Sequence, residues 1–309
     1  MIKDITESVL EEWLNNVRPY AYDGQVANYI PALSRSNPED LAVAIHYIDG
    51  DAVEAGETEV RFTLQSISKV ISLALALMDN GESYVFDRVG MEPTGDPFHS
   101  IYRLEQIPSK PLNPMINAGA LAVTNMIHGD TPDEKVGRLL SFIHDLTDDH
   151  SIRYNEEVAT SEFESAFLNR SLLFYMKQHQ IVTGSVEETL DAYTKQCAIE
   201  VNVCQLARIG ALLANSGKDI HSGRRIIPKH LARICKTFMV TCGMYDASGS
   251  FAIKVGIPAK SGVSGSVLAS LNDFGGIAVY GPSLDEKGNS VVGLRLLEIL
   301  SNRYDLSIF

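Results

Sequence analysis

The order of hydrophobic patterns along the chain is the feature that most limits its fold. Runs typical of strands occur near both ends, at residues 41–48 and again after about residue 250, whereas residues 114–215 mostly follow the spacing of amphipathic helices. Strands from both ends can join one antiparallel sheet, with the terminal helices packed on it. We therefore predict an α/β fold in which the middle of the chain forms a second, helical lobe.

Local patterns predict the individual elements. A helix is expected over residues 5–17, and a hairpin is expected from a strand at residues 41–48 with a turn at residues 49–51. The next helix spans residues 66–80 and is closed by Gly81. The runs FAIKVGI, VLASL and FGGIAVYG, which Gly, Pro and Ser separate, are predicted as strands, and residues 291–304 as a closing helix.

We predict a single domain over residues 1–309 with two lobes. Residues 1–85 and 225–309 form the α/β lobe, and residues 86–224 form the helical lobe. No internal repeat, low-complexity run or linker rich in Pro, Gly or Ser interrupts the sequence. A cleft between an α/β lobe and a helical lobe is a natural place for a small-molecule site.

The charge balance limits the classes of partner. The chain has 26 Lys and Arg against 39 Asp and Glu, a net charge of −13, which argues against nucleic acid and anionic membranes because both bind basic patches. The segment MIKDITESVLEEWL lacks the basic start and apolar core of a signal peptide, and no stretch approaches the roughly 20 apolar residues of a membrane span. We therefore expect a cytoplasmic protein.

Cysteine and histidine spacings do not predict a metal site. Each cysteine pair is separated by seven residues, which on a helix means one face and favours reduced core packing. The eight histidines, among them His46, are scattered and show no pairing. The cysteines are Cys197, Cys204, Cys235 and Cys242.

The segment FTLQSISKVISLALALM contains a serine and a lysine at catalytic spacing. Ser66 and Lys69 stand three residues apart in the predicted first turn of a helix, so their side chains share one face. The positive end of the helix dipole and the surrounding apolar run both disfavour the ammonium form of Lys69, which predicts a lowered pKa. A neutral lysine beside a serine is what a general base requires.

Two other interpretations of this segment stay open on the residues alone. Ser66 or Ser68 would merely cap the helix, and Lys69 would extend to solvent. Ser68 is also a rival nucleophile, although its place directly before Lys69 points the two side chains apart.

A second motif, Lys260-Ser261-Gly262, lies near the C-terminal strands. An S-x-x-K followed later by K-T-G is the signature of penicillin-binding proteins and class A β-lactamases, and this motif is a near relative of its second part. Glycine at a strand edge lets main chain approach a ligand closely. The backbone N–H groups of Val263 and Ser66 are therefore predicted to form an oxyanion hole, with a simple Gly-rich turn as the alternative.

Several longer blocks together resemble the bacterial and animal glutaminases. The resemblance runs from about Tyr22 to the C-terminus in the family's order, and it implies the fold of the serine β-lactamases and penicillin-binding proteins. The blocks are NYIPALS, SISK, EPTGDPF, LNPMINAGA, YTKQCA, TCGMYDASG and IPAKSGVSG.

The resemblance implies a catalytic group. Ser66 matches the family's nucleophile and Lys69 its base. Tyr29, in NYIP, matches a tyrosine near the reacting amide, and Tyr245, in GMYDASG, matches a further active-site tyrosine that also binds substrate.

The resemblance also implies a set of substrate ligands. Asn117 in MINAG, Glu162 and Asn169 in SEFESAFLNR, and Tyr193 in DAYTKQC match side chains that bind the substrate together with Ser66. Val263, in KSGVSG, matches a backbone contact to the substrate.

The spacing of seven residues favours Glu162 over Glu164 as the partner of Asn169. Two turns of one helix would place Glu162 and Asn169 on one face, roughly 10 Å apart along the axis. A carboxylate suits an α-ammonium group, and an amide suits an α-carboxylate. Asn117 stands among small apolar residues, so it should be buried and hydrogen-bonded. The alternative for Glu162 and Asn169 is an exposed polar helix face.

The predicted activity is hydrolysis of L-glutamine to L-glutamate and ammonia through an acyl-enzyme on Ser66, without a metal or organic cofactor. The family resemblance favours a homo-oligomer, a dimer or tetramer. One rival is another S-x-x-K hydrolase, such as a penicillin-hydrolysing enzyme, although no clear S-D-N motif accompanies the serine. A second rival is a glutamine-binding regulator without turnover, which the presence of both Ser66 and Lys69 opposes.

Overall fold

Five antiparallel strands form the central sheet of the protein, for which a computed structural model describes residues 4–95, 100 and 110–309. Their order is β3-β2-β8-β7-β6, so strands from both ends of the chain pair directly and the prediction of one shared sheet is confirmed. Two short pairs, β1 with β9 and β4 with β5, lie outside this sheet. The strands are β1 Gln25–Val26, β2 Ala42–Tyr47, β3 Ala52–Gly56, β4 Phe62–Thr63, β5 Glu200–Val201, β6 Ala259–Ser261, β7 Ser266–Leu271, β8 Gly275–Tyr280 and β9 Ser283–Leu284.

Eleven α-helices surround these strands in the described part of the chain. Four begin with a Ser, Thr or Asn cap and acidic residues in the first turn, an arrangement that satisfies free N–H groups and complements the helix dipole. The helices are α1 Glu7–Val17, α2 Ser68–Arg88, α3 Asn117–Met126, α4 Pro132–Thr147, α5 Glu156–Ser165, α6 Phe167–Gln178, α7 Val186–Cys197, α8 Val203–Ala214, α9 Lys229–Cys242, α10 Ser248–Lys254 and α11 Val291–Tyr304.

Alternation of large and small side chains decides how the sheet is covered. Val43 and Ile45 in β2 point to the face on which the terminal helices α1 and α11 pack, whereas Ala44 points to the other face. Small residues there let α8 approach closely. A Cβ on Gly276 of β8 would lie only 2.0 Å from the Ala207 carbonyl oxygen of α8.

The remaining helices α3–α7 pack with α2 and extend the core away from the sheet. Helix α8 falls within the predicted helical lobe but lies against β2, β7 and β8. The division of the chain into two lobes stays a prediction. No helix in the described residues combines the length and apolar character needed to cross a membrane.

Several local predictions are confirmed. The hairpin forms from β2 and β3 with Gly50 at φ 99°, and the closing helix α11 has the expected bounds. Gly81 breaks the helix that contains Lys69, with φ 79° and ψ 163°, as glycine readily does. The chain then resumes helical geometry as far as Arg88, which the sequence pattern did not indicate.

The predicted strand FAIKVGI is wrong. Helix α10 covers its first residues, and β6 begins only at Ala259. Phe251 is buried, but Ile253 is 89% exposed, so the run is not the continuous buried strand that its composition indicated. Short apolar runs do not distinguish strand from helix by periodicity, which explains the error.

The cysteine prediction is half right. Cys235 and Cys242 lie on one helix, α9, as the spacing of seven predicts. Cys197 ends α7, whereas Cys204 lies in α8 beyond the short strand β5, so these two do not share a helix face. All four are free thiols.

Candidate active site

A cavity of about 350 Å³ brings most of the predicted site residues together. Seven of the nine line it, and the other two, Lys69 and Tyr245, are buried. This volume is in the range of small-molecule sites. The lining residues are Tyr29, Ile30, Gln65, Ser66, Asn117, Glu162, Ser165, Ala166, Leu168, Asn169, Tyr193, Cys197 and Val263.

Ser66 lies in a tight 3₁₀ turn, Gln65–Ile67, which leads directly into α2. Ser66 is 8% exposed and lines the cavity. Gln65 before it has φ +46°, and Tyr245 has φ +54°, a backbone region that L-residues other than Asn and Asp rarely occupy. Such strain persists only where surrounding packing imposes it, and it clusters at functional sites.

Lys69 is fully buried, so the alternative in which it extends to solvent is wrong. Its Nζ donates to Asn117 Oδ1 at 2.7 Å and to the Met115 carbonyl oxygen at 3.3 Å. Burial lowers the Lys69 pKa to about 8, although the ionised form of Glu162 favours the charged lysine. A neutral lysine is therefore accessible close to physiological pH.

Ser68, the rival nucleophile, points away from the cavity. Its hydroxyl donates to the Gln65 carbonyl oxygen at 2.7 Å and accepts from Gln196 Nε2 at 3.1 Å, and its residue surface is completely buried. Ser68 therefore belongs to a polar network beneath the site.

Tyr245 connects Ser66 to the C-terminal motif. Its hydroxyl donates to the Ser261 carbonyl oxygen at 3.2 Å and shares a hydrogen bond with Ser66. Burial raises the Tyr245 pKa, and the bond to Ser66 only partly opposes this. Lys260 Nζ lies 4.4 Å from the centre of the Tyr245 ring and donates to the carbonyl oxygens of Gly243 and Ser261. Burial and the nearby Lys69 charge lower the Lys260 pKa well below its usual value.

The glycine motif after β6 approaches the Ser66 turn, as predicted. A Cβ on Gly262 would lie 2.8 Å from the Leu64 carbonyl oxygen, so only glycine permits this contact. Val263 and Ser66 consequently line the same cavity. Within the described residues, neither of their amide N–H groups donates to a protein acceptor, so both stay available to a ligand oxygen.

Glu162 is buried, and one of its carboxylate oxygens has no hydrogen-bond partner among the described residues. This oxygen is Oε2, while Gln65 bonds the carboxylate. Burial raises the Glu162 pKa to about 7, and the Gln65 bond and the Lys69 charge oppose that rise. Glu164 is exposed and lies outside the cavity. The geometry therefore favours Glu162, as the spacing did.

Glu162 and Asn169 do not share one helix, contrary to prediction. Ala166, with ψ 41°, separates α5 from α6. The Ser165 hydroxyl bonds back to the carbonyl oxygens of Ser161 and Glu162, a contact that competes with helical hydrogen bonding. Both side chains nevertheless reach the cavity, one from each side of the break.

The Asn117 side chain connects Lys69 to Asn169. Its Oδ1 accepts from Lys69, and its Nδ2 donates to Asn169 Oδ1 at 3.1 Å. The expected partners are therefore present, but Asn117 is half-buried rather than fully buried because it lines the cavity.

Two tyrosines line the cavity in different settings. Tyr193 is buried and shares a hydrogen bond with Cys197; burial is the main cause that raises its pKa well above the usual value. Tyr29 is 56% exposed over the whole residue, yet lost hydration and the nearby Tyr245 and Glu162 raise the pKa of its hydroxyl well above the usual value. Both phenols stay protonated at neutral pH.

Sequence reasoning missed several lining residues, chiefly Gln65 and Cys197. Gln65 is a polar residue in an apolar run directly before Ser66, and Cys197 follows Tyr193 by one helical turn in the block YTKQCA. The sequence therefore contained enough information to predict that both residues lie near the site. The end of the block EPTGDPF, residues 96–98, lies outside the described residues. Within the described ranges, no three His, Cys, Asp or Glu side chains cluster as metal ligands.

Comparisons with known proteins give a consistent family. The family model described as Glutaminase matches residues 24–309. Glutaminase 1 of Halalkalibacterium halodurans is 60% identical over 304 residues, which are 98% of this chain and 99% of that protein. A probable glutaminase of Bacillus subtilis superposes with a TM-score of 0.93 at 43% identity, covering 98% of this chain and 97% of that one.

A second solved structure shows the state of a reacted relative. It is the covalent complex between a Bacillus subtilis glutaminase and 5-oxo-L-norleucine, formed by reaction with 6-diazo-5-oxo-L-norleucine. It superposes with a TM-score of 0.89 at 41% identity and covers 98% of this chain and 99% of that chain.

Proposed function

Because the chain belongs to the glutaminase family and shares its β-lactamase-like fold, we propose that it hydrolyses L-glutamine to L-glutamate and ammonia through an acyl-enzyme on Ser66. The overall reaction is that of the family. The observation that carries the proposed route is the setting of Ser66, which is bonded to Tyr245 and lies one helical turn before a fully buried lysine with a pKa of about 8.

In the first step Lys69, in its neutral form, accepts the proton of the Ser66 hydroxyl. The serine oxygen then forms a bond to the γ-carboxamide carbon of glutamine, and the carbonyl π electrons move to its oxygen. The amide N–H groups of Ser66 and Val263 stabilise this oxyanion, for which they are free in the described structure.

Collapse of the tetrahedral intermediate breaks the C–N bond and releases ammonia, which takes up the proton that Lys69 accepted. Tyr245 is the favoured relay because its hydroxyl bonds Ser66. Water then attacks the glutamyl ester with Lys69 again as base, which yields glutamate and restores Ser66. No metal or organic cofactor takes part in these steps.

The head group of glutamine has a matching set of partners. The free Oε2 of Glu162 suits the α-ammonium group, and the amides of Asn117 and Asn169 suit the α-carboxylate. Binding an ammonium group would favour the ionised form of Glu162. Specificity for the free amino acid therefore rests on a carboxylate that is only partly ionised in the empty site at neutral pH.

We also propose that the protein acts in the cytoplasm as a homo-oligomer, a dimer or tetramer, without nucleic-acid or membrane partners. The net charge of −13 supports the absence of those two partners. Light scattering on a gel-filtration peak measures the oligomeric state, and a monomer at micromolar concentration would contradict the proposal. Cell fractionation tests the compartment.

Covalent labelling tests the acyl-enzyme. The protein is incubated with 6-diazo-5-oxo-L-norleucine, digested and examined by mass spectrometry. One adduct is expected on the peptide that contains Ser66, because the analogue carries the same α-amino and α-carboxylate groups as glutamine. Excess glutamate should slow labelling by occupying the head-group site, and Lys69→Ala should slow it because the hydroxyl then lacks its base.

The nearby thiols provide the sharpest contrary outcome. Cys197 lines the same cavity, and Cys242 is half-buried elsewhere. An adduct on either cysteine, formed in step with loss of activity, would overturn the assignment of Ser66. Burial raises the Cys197 pKa well above its usual value, so its thiol is expected to stay protonated and unreactive.

A further inference from the structure

Two histidines that the sequence spacing left unpaired meet at one end of the sheet. His46 lies in β2 on the face covered by α8, and His221 lies in the loop that follows α8. Their Nε2 atoms are 3.4 Å apart, and their ring centres are 5.3 Å apart. Neither residue lines the active-site cavity.

The hydrogen bonds around the pair fix the state of His46. Its Nδ1 lies 3.3 Å from the Tyr47 carbonyl oxygen and can only donate there, which leaves the Nε2 lone pair directed elsewhere. Metal-binding histidines usually donate their second ring N–H to a carbonyl or carboxylate in this way. His221 is exposed, and its contact with His46 Nε2 is its only hydrogen bond among the described residues. With its ring proton on Nδ1, His221 also presents an Nε2 lone pair.

The separation of the two nitrogens matches a chelating geometry. Two nitrogens bound to one zinc ion at about 2.0–2.1 Å in a tetrahedron lie roughly 3.3–3.4 Å apart. Rings that both point at such an ion would have centres about 5 Å apart, because each centre lies about 1 Å behind its nitrogen. The observed separations of 3.4 Å and 5.3 Å fit both conditions.

The charges around the pair are balanced. The positive charge of Arg208 disfavours a bound cation, but the Asp219 carboxylate lies 3.2 Å from Arg208 and offsets that charge. The Asp219 oxygens are occupied by Ser222 and Arg208, so this carboxylate orients its neighbours and is not a ligand.

We propose that His46 and His221 form a two-histidine site for a divalent ion of the zinc class, with water in the remaining positions. Within the described residues no third His, Cys, Asp or Glu completes the cluster, so the ion stays open to solvent. Bound metal would connect the loop after α8 to β2. This connection stabilises the native state, because the unfolded chain does not hold the two rings together.

Titration calorimetry with Zn²⁺ in a non-chelating buffer tests the site on the full chain. The wild type is expected to bind one ion, and His221→Ala is expected to weaken binding at least about tenfold. His221 is exposed, so this variant should fold and keep its glutaminase activity. Equal Zn²⁺ affinity in wild type and His221→Ala would overturn the proposal.

His150→Ala is the matched control. His150 is also an exposed histidine beside a second one, with 5.1 Å between its ring centre and that of His144. The His144 Nε2 is engaged by the Ile152 carbonyl oxygen, and no hydrogen bond joins the two rings in the described structure. His150→Ala should therefore bind Zn²⁺ like the wild type, and an equal loss in this variant would count against the assignment.

Thermal unfolding supplies a second measurement. Zn²⁺ should raise the Tm of the wild type and of His150→Ala but leave that of His221→Ala unchanged. His221→Cys should restore part of the shift, because a thiolate is also a zinc ligand. A Tm that rises equally in all four proteins would place the ion elsewhere and defeat the proposal.

Discussion

Two walls of the active-site cavity differ in how firmly their side chains are held. The nucleophile wall is buried, and its groups bond one another or nearby carbonyl oxygens. In the head-group wall, Glu162 and Asn169 lie on either side of a helix break, and Tyr29 is 56% exposed. The nucleophile wall consists of Ser66, which lines the cavity, and the buried side chains behind it, Lys69, Tyr245 and Lys260. The head-group wall consists of Tyr29, Glu162 and Asn169.

Burial acts on both walls in the same chemical direction. It lowers the pKa of the lysines and raises that of Glu162, so each group moves toward its neutral form. The empty cavity is therefore less charged near neutral pH than its composition indicates. A substrate with an ammonium group would favour the ionised form of Glu162. It would leave Lys69 able to act as a base. The two walls should thus respond differently to mutation and to pH.

The largest effect is expected on the nucleophile wall. Ser66→Ala and Lys69→Ala should each reduce kcat/KM by at least about three orders of magnitude, because they remove the nucleophile and its base. The double variant should be barely worse than either single variant, since groups that act as a unit are not additive. Steady-state kinetics with ammonia detection measures the loss.

Ser68→Ala is the matched control for this prediction. Ser68 neighbours the same lysine but is buried in bonds to Gln65 and Gln196, so its loss should cost stability and leave most of the activity. A Lys69→Ala variant that retained most activity would exclude Lys69 as the general base.

The distance between the two walls should exclude a shorter substrate. Asparagine has one methylene fewer than glutamine, so an α-amino acid group held by Glu162 and Asn169 would leave its amide short of Ser66. A misplacement of about 1 Å can reduce the rate about 100-fold. Rates with glutamine, asparagine and a penicillin under the same conditions test this, and hydrolysis of the penicillin would instead favour the broader S-x-x-K hydrolase alternative.

A smaller effect is expected on the head-group wall. Glu162→Gln should raise KM about 10- to 100-fold, because a charge-assisted hydrogen bond contributes about 1.5–3 kcal/mol. N-acetylglutamine, which lacks the ammonium group, should be a very poor substrate. Glu164→Gln is the control, since Glu164 is exposed outside the cavity. Equal turnover of glutamine and N-acetylglutamine would show that the head-group wall is misassigned.

The pH dependence should separate the two walls. Catalysis needs neutral Lys69, with a pKa of about 8, and head-group binding needs ionised Glu162, with a pKa of about 7. The kcat/KM of the wild type should therefore rise with pH through both values, and below pH 7 it should fall more steeply than tenfold per unit. Glu162→Gln should keep only the step near 8. An unchanged profile in this variant would contradict the role of Glu162.

The two walls also differed in how far the sequence predicted them. Ser66 and Lys69 stand three residues apart, across the short turn that leads into α2, so the low lysine pKa followed from local rules. The spacing of Glu162 and Asn169 crosses Ala166, where the helix breaks, and nothing in the local sequence marks that break. Local patterns likewise could not separate the helix α10 from a strand.

Long-range contacts explain most of what the sequence left open. Residues 41–48 and the C-terminal strands were recognisable as strands, but their register depends on pairing across more than 200 positions. The contact of Gly262 with Leu64 and the meeting of His46 with His221 arise in the same way, from segments that are distant in sequence. In the sequence, only the motifs shared with the glutaminase family indicated that such distant segments belong to one site. These motifs include residues of the cavity but neither His46 nor His221.

The smallest expected effect concerns stability and has the opposite sign to activity. The Glu162 pKa is raised from 4.5 to about 7 in the folded protein, so the folded state holds this proton more tightly than the unfolded state. The contribution of protonated Glu162 to the stability of the folded protein is fully present below about pH 4.5. It is lost as pH rises through about 7. The Glu162→Gln side chain does not ionise, so the variant should not lose this stability as pH rises. Its amide oxygen can still accept the hydrogen bond from Gln65.

Glu162→Gln should therefore be more stable than the wild type at pH 8, by about 1–3 kcal/mol, while the two proteins differ little at pH 5. Urea unfolding at both pH values measures the difference, and Glu164→Gln should match the wild type at each. A variant that was less stable than the wild type at pH 8 would mean that ionised Glu162 is well solvated or paired. That result would contradict the free Oε2 on which the proposed binding of the α-ammonium group depends.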